Sequence, residues 1–85
     1  QEFSLLQNIP NPSNGNTEIR FHLPNSERII FFVTDVFGRI VDSQEINASR
    51  GLNSIDFSKE LPQGIYNYSI VNKEKTLLKV MLISR

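Results

Sequence analysis

Apolar and polar residues alternate at a period of two along much of the chain. From Thr17 to Leu23, Ile19, Phe21 and Leu23 share one side while Glu18, Arg20 and His22 share the other, the pattern of a half-buried β-strand. Tyr66, Tyr68 and Ile70 alternate with Asn67 and Ser69 in the same way, and Ile55 and Phe57 with Ser54 and Asp56. No window of helical length carries an apolar stripe at i, i+3 and i+4 free of breakers. Turn-forming residues punctuate the runs: Asn14-Gly15, Pro24-Asn25-Ser26, Phe37-Gly38, Arg50-Gly51, Leu61-Pro62-Gln63-Gly64 and Asn72 to Lys75. In Leu61–Gly64 the proline at the second position and the glycine at the fourth suit a type I turn. The spacing predicts an all-β chain, an immunoglobulin-like antiparallel β-sandwich of about seven strands. The strands are expected near residues 3–8, 17–23, 28–36, 39–46, 52–57, 64–72 and 76–84.

Two strands depart from simple alternation. Ile29, Phe31 and Val33 are opposed by Ile30 and Phe32, and Leu78, Val80 and Leu82 by Leu77, Met81 and Ile83. A strand apolar on both faces is either central and covered or presents a surface that wants a partner. A sandwich of this size has nothing within the chain to cover an outer face, so these two strands are expected to contribute a docking surface.

The length of 85 residues sets a single domain, residues 1–85. At that size roughly 60 to 70% of the unfolded chain's surface is buried on folding. A deep cleft on top of such a scaffold does not fit, so an enzyme of this length would need a legible site. Nine basic and nine acidic residues give a formal net charge of zero, spread in ones and twos. Capture of nucleic acid or an anionic membrane draws on clustered Lys and Arg, so neither is an expected partner. The longest charged run, Lys73-Glu74-Lys75, reads as a solvated hairpin tip. The absence of cysteine excludes a disulfide framework and thiolate metal sites and leaves the compartment open. No apolar run approaches the ~20 residues of a membrane span, and no charged start leads into an apolar stretch. The chain begins with Gln1, which raises the expectation of a piece excised from a longer protein.

Candidate chemistry is sparse. The single histidine, His22, sits on the polar side of its strand without a second histidine, a cysteine or a G-x-S-x-G nucleophile motif. Scattered carboxylates beside one histidine give no metal-ligand spacing. Asn14, Asn16 and Glu18 have the alternate-position oxygens of a calcium loop but supply one carboxylate where such loops use several, and asparagine and glycine also simply make turns. Tyr66 and Tyr68 could stack on a sugar ring, but same-face tyrosines on a strand also build a core, and tryptophan is absent. Asn47-Ala48-Ser49 and Asn67-Tyr68-Ser69 match the N-glycosylation pattern, which matters only in a cell that glycosylates it. No cofactor and no small-molecule substrate are expected.

Four stretches together resemble one family, the type A C-terminal sorting domain of type IX secretion. "LLQNIPNPSNGNTEIRFHLP" is similar to its opening, in which a Gln-Asn start leads into Pro10, Asn11 and Pro12, a small-residue turn and an alternating strand. "VTDVFGRIV" is similar to its strand, Asp, turn, Gly-Arg and next strand, here Asp35, Gly38 and Arg39. "LPQGIYNYSI" is similar to its Pro-x-Gly-x-Tyr segment, here Pro62, Gly64 and Tyr66. "LLKVMLISR" is similar to its apolar last strand ending near a basic residue. Ile9, Ser13 and Thr34 stand where the family commonly has an aromatic, a phenylalanine and a tyrosine, and Ser13 is expected to leave the first turn less anchored. Pro10 and Pro12 hold Ile9 and Asn11 extended, and Asn14-Gly15 turns the chain into the strand at Thr17.

The resemblance implies an address and not an enzyme. Such domains in Bacteroidota proteins follow a cargo that reaches the periplasm by a separate N-terminal signal. They are recognised there by an outer-membrane shuttle protein and the type IX translocon, and the cargo ends at the cell surface or is secreted. A sortase-like peptidase, acting at or before the N-terminal end of the domain, commonly removes it and attaches the cargo. On this reading the expected recognition residues are Lys79, Val80, Met81, Leu82, Ile83, Ser84 and Arg85, an edge strand with unpaired backbone groups and a terminal charge. Gly38 and Gly64 are assigned to backbone geometry, Tyr66 to the core, and Arg39 to a surface contact or a solvated turn. The apolar outer face could also let one last strand pair with another in a dimer. An immunoglobulin-like or fibronectin-like structural or adhesive module is the alternative, and a small sugar-binding module a third reading.

Overall fold

The alternating runs become strands close to where the pattern puts them. The computed structural model describes residues 2–85, with β1 Ser4–Leu5, β2 Asn16–Leu23, β3 Glu27–Thr34, β4 Ile40–Ala48, β5 Gly51–Ser58, β6 Gly64–Val71 and β7 Thr76–Ile83. They form two antiparallel sheets, one ordered β1-β2-β5 and the other β4-β3-β6-β7, and no helix occurs among the described residues. The fold is therefore an all-β sandwich.

Its core is built from the inward positions of each alternating run. Ile19, Phe21 and Leu23 of β2 with Ile55 and Phe57 of β5 face Ile29, Phe31 and Val33 of β3 and Tyr66, Tyr68 and Ile70 of β6, all buried. Phe31 and Phe57 meet edge to face across the sheets, ring centroids 6.2 Å apart and planes at 67°, the arrangement the aromatic quadrupole favours.

Three local expectations are corrected. The first strand is two residues long, although Leu6 N–H still donates to Arg20 C=O and Ile9 exchanges backbone bonds with Glu18. The third strand ends at Thr34, and Val36 lies in the turn that follows. Leu61–Gly64 is not a type I turn: it carries β5 of one sheet over to β6 of the other, so no tight reversal is called for. Leu61 drops into the core instead, and Gly64 opens β6 in nearly extended backbone at φ 159°.

Candidate recognition surface

β7 is, with β4, one of the two edge strands of the four-stranded sheet. Its register against β6 sets Leu77, Lys79, Met81 and Ile83 opposite the inward row of Ile70, Tyr68, Tyr66 and Gly64. Met81 and Ile83 are consequently buried, so their side chains face the core and not the surface. Lys79 falls in the same inward row and is half-buried at the seam with Phe3, Ser4 and Leu5.

The outward row is the apolar one that stays in solvent. Leu78, Val80 and Leu82 remain 57%, 45% and 38% exposed. Across the sheet the row continues through Ile65 of β6, paired with Leu82, and through Ser69 to Phe32 and Ile30 of β3. Ser69 is buried between Phe32 and Leu78 because its small side chain lies below theirs. The two doubly apolar strands thus contribute to one continuous apolar outer surface.

The edge itself is not the row of unpaired groups that was expected. Val80 C=O accepts a hydrogen bond from the Gln7 side-chain amide at 2.7 Å, and Leu82 N–H donates to Asn11 Oδ1 at 2.9 Å. Ser13 N–H donates to Leu82 C=O, and Ser84 N–H to Ser13 C=O, at 3.0 and 2.8 Å. Residues 7–13 therefore lie along the lower half of β7, and Ser13, buried and also accepting from Gly15 N–H, is firmly anchored where a loose turn was expected. Arg85 is likewise tied down, its Nε donating to Leu61 C=O at 2.8 Å and its N–H to Gln63 Oε1 at 3.1 Å.

A buried polar hub holds this lead-in segment in place. Asn8 is 1% exposed, its N–H donates to Tyr68 Oη at 2.8 Å, and its side-chain amide donates to Thr17 Oγ1 and Pro10 C=O. Tyr68 Oη in turn donates to Leu6 C=O, and the Gln7 amide bridges Asn8 Oδ1 to Val80 of β7. Burial pushes the Tyr68 hydroxyl up to about 12, the Asn8 N–H pulling the other way. The Ile9–Pro10 and Asn11–Pro12 bonds are both cis. Sequence reading missed Asn8 and Thr17; the available signal was a buried tyrosine whose hydroxyl required a partner.

The remaining motif residues sit at one end of the sandwich. Asp35 Oδ1 accepts from the N–H groups of Phe37 and Arg39 at 2.9 and 3.0 Å, and Arg39 Nε reaches Oδ2 at 2.8 Å with its guanidinium over the Phe37 ring. Partial burial pushes the Asp35 carboxyl up, but the Arg39 N–H, the guanidinium and the Phe37 N–H outweigh it and hold the group below its ordinary value. Gly38 closes the turn at φ 83°, where a side chain would be strained. Tyr66 is buried, its hydroxyl donating to Pro62 C=O at 2.6 Å. Val36, Phe37 and Ile65 border an open apolar hollow of about 300 Å³.

The polar candidates do not converge. His22 is on the outer face of β2, paired with Leu52 and Ser4. Asn16 and Glu18 each accept from a serine of β5, Ser58 and Ser54, and no group of three or more His, Cys, Asp or Glu forms a metal cage among the described residues.

No curated protein matches the chain. The model of the secretion system C-terminal sorting domain family matches residues 8–84, which takes in the Asn8 hub, both prolines, the Asp35 turn and all of β7. With nearly the whole sequence covered, the chain belongs to the secretion system C-terminal sorting domains, the non-catalytic signal that sends a protein out across the outer membrane by type IX secretion.

Proposed function

We propose that the machinery reads this domain, as a folded unit in the periplasm, through the outer face of the four-stranded sheet. The observation that carries the reading is the exposed row of Leu78, Val80 and Leu82, continuous with Ile65 and Phe32. A continuous apolar surface of this kind favours an apolar partner. An outer-membrane shuttle protein and the translocon are the partners that the type IX role suggests, with a sortase-like peptidase acting at or before residue 1. The cargo would be left at the cell surface or released. The structural or adhesive module shares the sandwich but gains nothing from the family match.

The test is a reporter fused ahead of residues 1–85 behind an export signal, in a type IX host and in a translocon-deficient one. Surface reporter in the competent host alone is the expected result. A Leu78→Ser, Leu82→Ser double variant, confirmed as folded by circular dichroism, is expected to leave the reporter in the periplasm. Undiminished delivery of that folded variant would move recognition off this face, and a wild-type reporter stranded in the competent host would sink the reading.

A further inference from the structure

The edge of β7 is divided into an open half and a closed half. No backbone bond from the described residues reaches the outward N–H and C=O of Leu78, whereas from Val80 to Ser84 four successive outward groups are taken by residues 7–13. Ser13 bonds as a parallel strand would, giving its N–H to Leu82 and accepting from Ser84. Upstream of it the chain carries Pro10 and Pro12, which have no N–H to give to a ladder. There the side-chain amides of Gln7 and Asn11 supply the donor and the acceptor that β7 requires. The same prolines deprive this segment of donors, so a further strand cannot stack readily onto it.

We propose that Gln7–Ser13 is an edge guard, which keeps the domain monomeric by occupying the half of β7 that would otherwise pair with the β7 of a second copy. Antiparallel pairing of two such strands would set Leu78, Val80 and Leu82 of both copies side by side on one apolar outer face. The open half around Leu78 offers too few bonds to offset the freedom lost on association. With the guard lifted, the free edge would run the whole length from Thr76 to Ser84. The guard is held there by the Asn8 hub rather than by strand pairing alone, since the Gln7 amide bonds Asn8 Oδ1 and Val80 C=O together.

The test has two arms on the intact domain. In the wild type, amide exchange followed by NMR is expected to be about tenfold or more slower at Leu82 than at Leu78, although both N–H groups point off the sheet edge. In a Gln7→Ala, Asn11→Ala variant, whose altered side chains lie on exposed residues, the Leu82 difference is expected to vanish while Phe21 and Ile70 stay protected. Sedimentation should then show a concentration-dependent dimer in the variant and a monomer in the wild type. Equal exchange at Leu78 and Leu82 in the wild type, a wild-type dimer, or a variant that keeps its core protection and stays monomeric would each overturn the proposal. Should the variant lose its core protection, the wild-type comparison decides alone.

Discussion

Tyr68 brings a hydroxyl into the core, and the Asn8 hub is what makes that tolerable. The ring's inward position was legible from alternation, since Tyr66, Tyr68 and Ile70 share a face. The hub was not legible, because a polar residue ahead of two prolines looks like a solvated loop until the hydroxyl that meets it is located. Replacing Tyr68 by Phe keeps the ring but leaves Asn8 N–H and Leu6 C=O without their partner. Buried groups orphaned in this way cost about 1–3 kcal/mol, the loss expected for Tyr68→Phe in urea denaturation. The raised hydroxyl adds a pH signature of definite sign. Because the folded state favours the protonated form, the stability tied to it is complete below the unfolded value of 10.0 and is lost as pH rises toward about 12. The gap in stability between wild type and Tyr68→Phe should therefore narrow over that window; parallel pH curves would show that the hydroxyl is not held in this environment.

At the scale of elements, the β3–β4 turn and β7 were legible to different depths. The Asp-x-x-Gly-Arg spacing announces a turn, and the structure explains each member: Asp35 caps two N–H groups and the Arg39 guanidinium, and Gly38 takes the left-handed backbone. Gly38→Ala is expected to destabilise by about 1–2 kcal/mol, although open space surrounds the position, because the penalty lies in the backbone and not in a clash. The depressed Asp35 carboxyl contributes stability that is present above its ordinary 3.8 and is lost as pH falls through its lower folded value. Asp35→Asn should accordingly flatten the acid limb of a thermal-melt series below pH 4. For β7 the pattern could not choose a face, since Leu77, Met81 and Ile83 are as apolar as Leu78, Val80 and Leu82. Pairing with β6 decides it, because Tyr66 and Ile70 are already inward and their neighbours across the ladder must follow. That is why Lys79 ends in the inward row despite its charge, its stem along the seam as long basic side chains permit.

Over the whole molecule the two outer faces differ in kind. That of β2 and β5 carries Glu18, Arg20, His22, Ser54 and Asp56 together with the exposed Leu52, whereas that of β3, β6 and β7 carries Ile30, Phe32, Ile65, Leu78, Val80 and Leu82. The two rows of β7 therefore stand in different surroundings, one in the core and one at the surface. Met81 and Ile83 sit in the core, where truncation to alanine costs about 2–5 kcal/mol per site. Domains have about 5–15 kcal/mol in all, so removing β7 is expected to unfold this one, and a secretion defect in such a truncation says nothing about recognition. The outward row allows the separation. Leu78→Ser with Leu82→Ser removes side chains that are about half in water, and each change should cost the fold less than a core truncation does. Met81→Ala should lower the urea midpoint sharply while leaving the outer face intact. If delivery follows the outward pair and not the midpoint, recognition lies on the face; if it follows the midpoint across all three variants, the machinery reads no more than a folded sandwich.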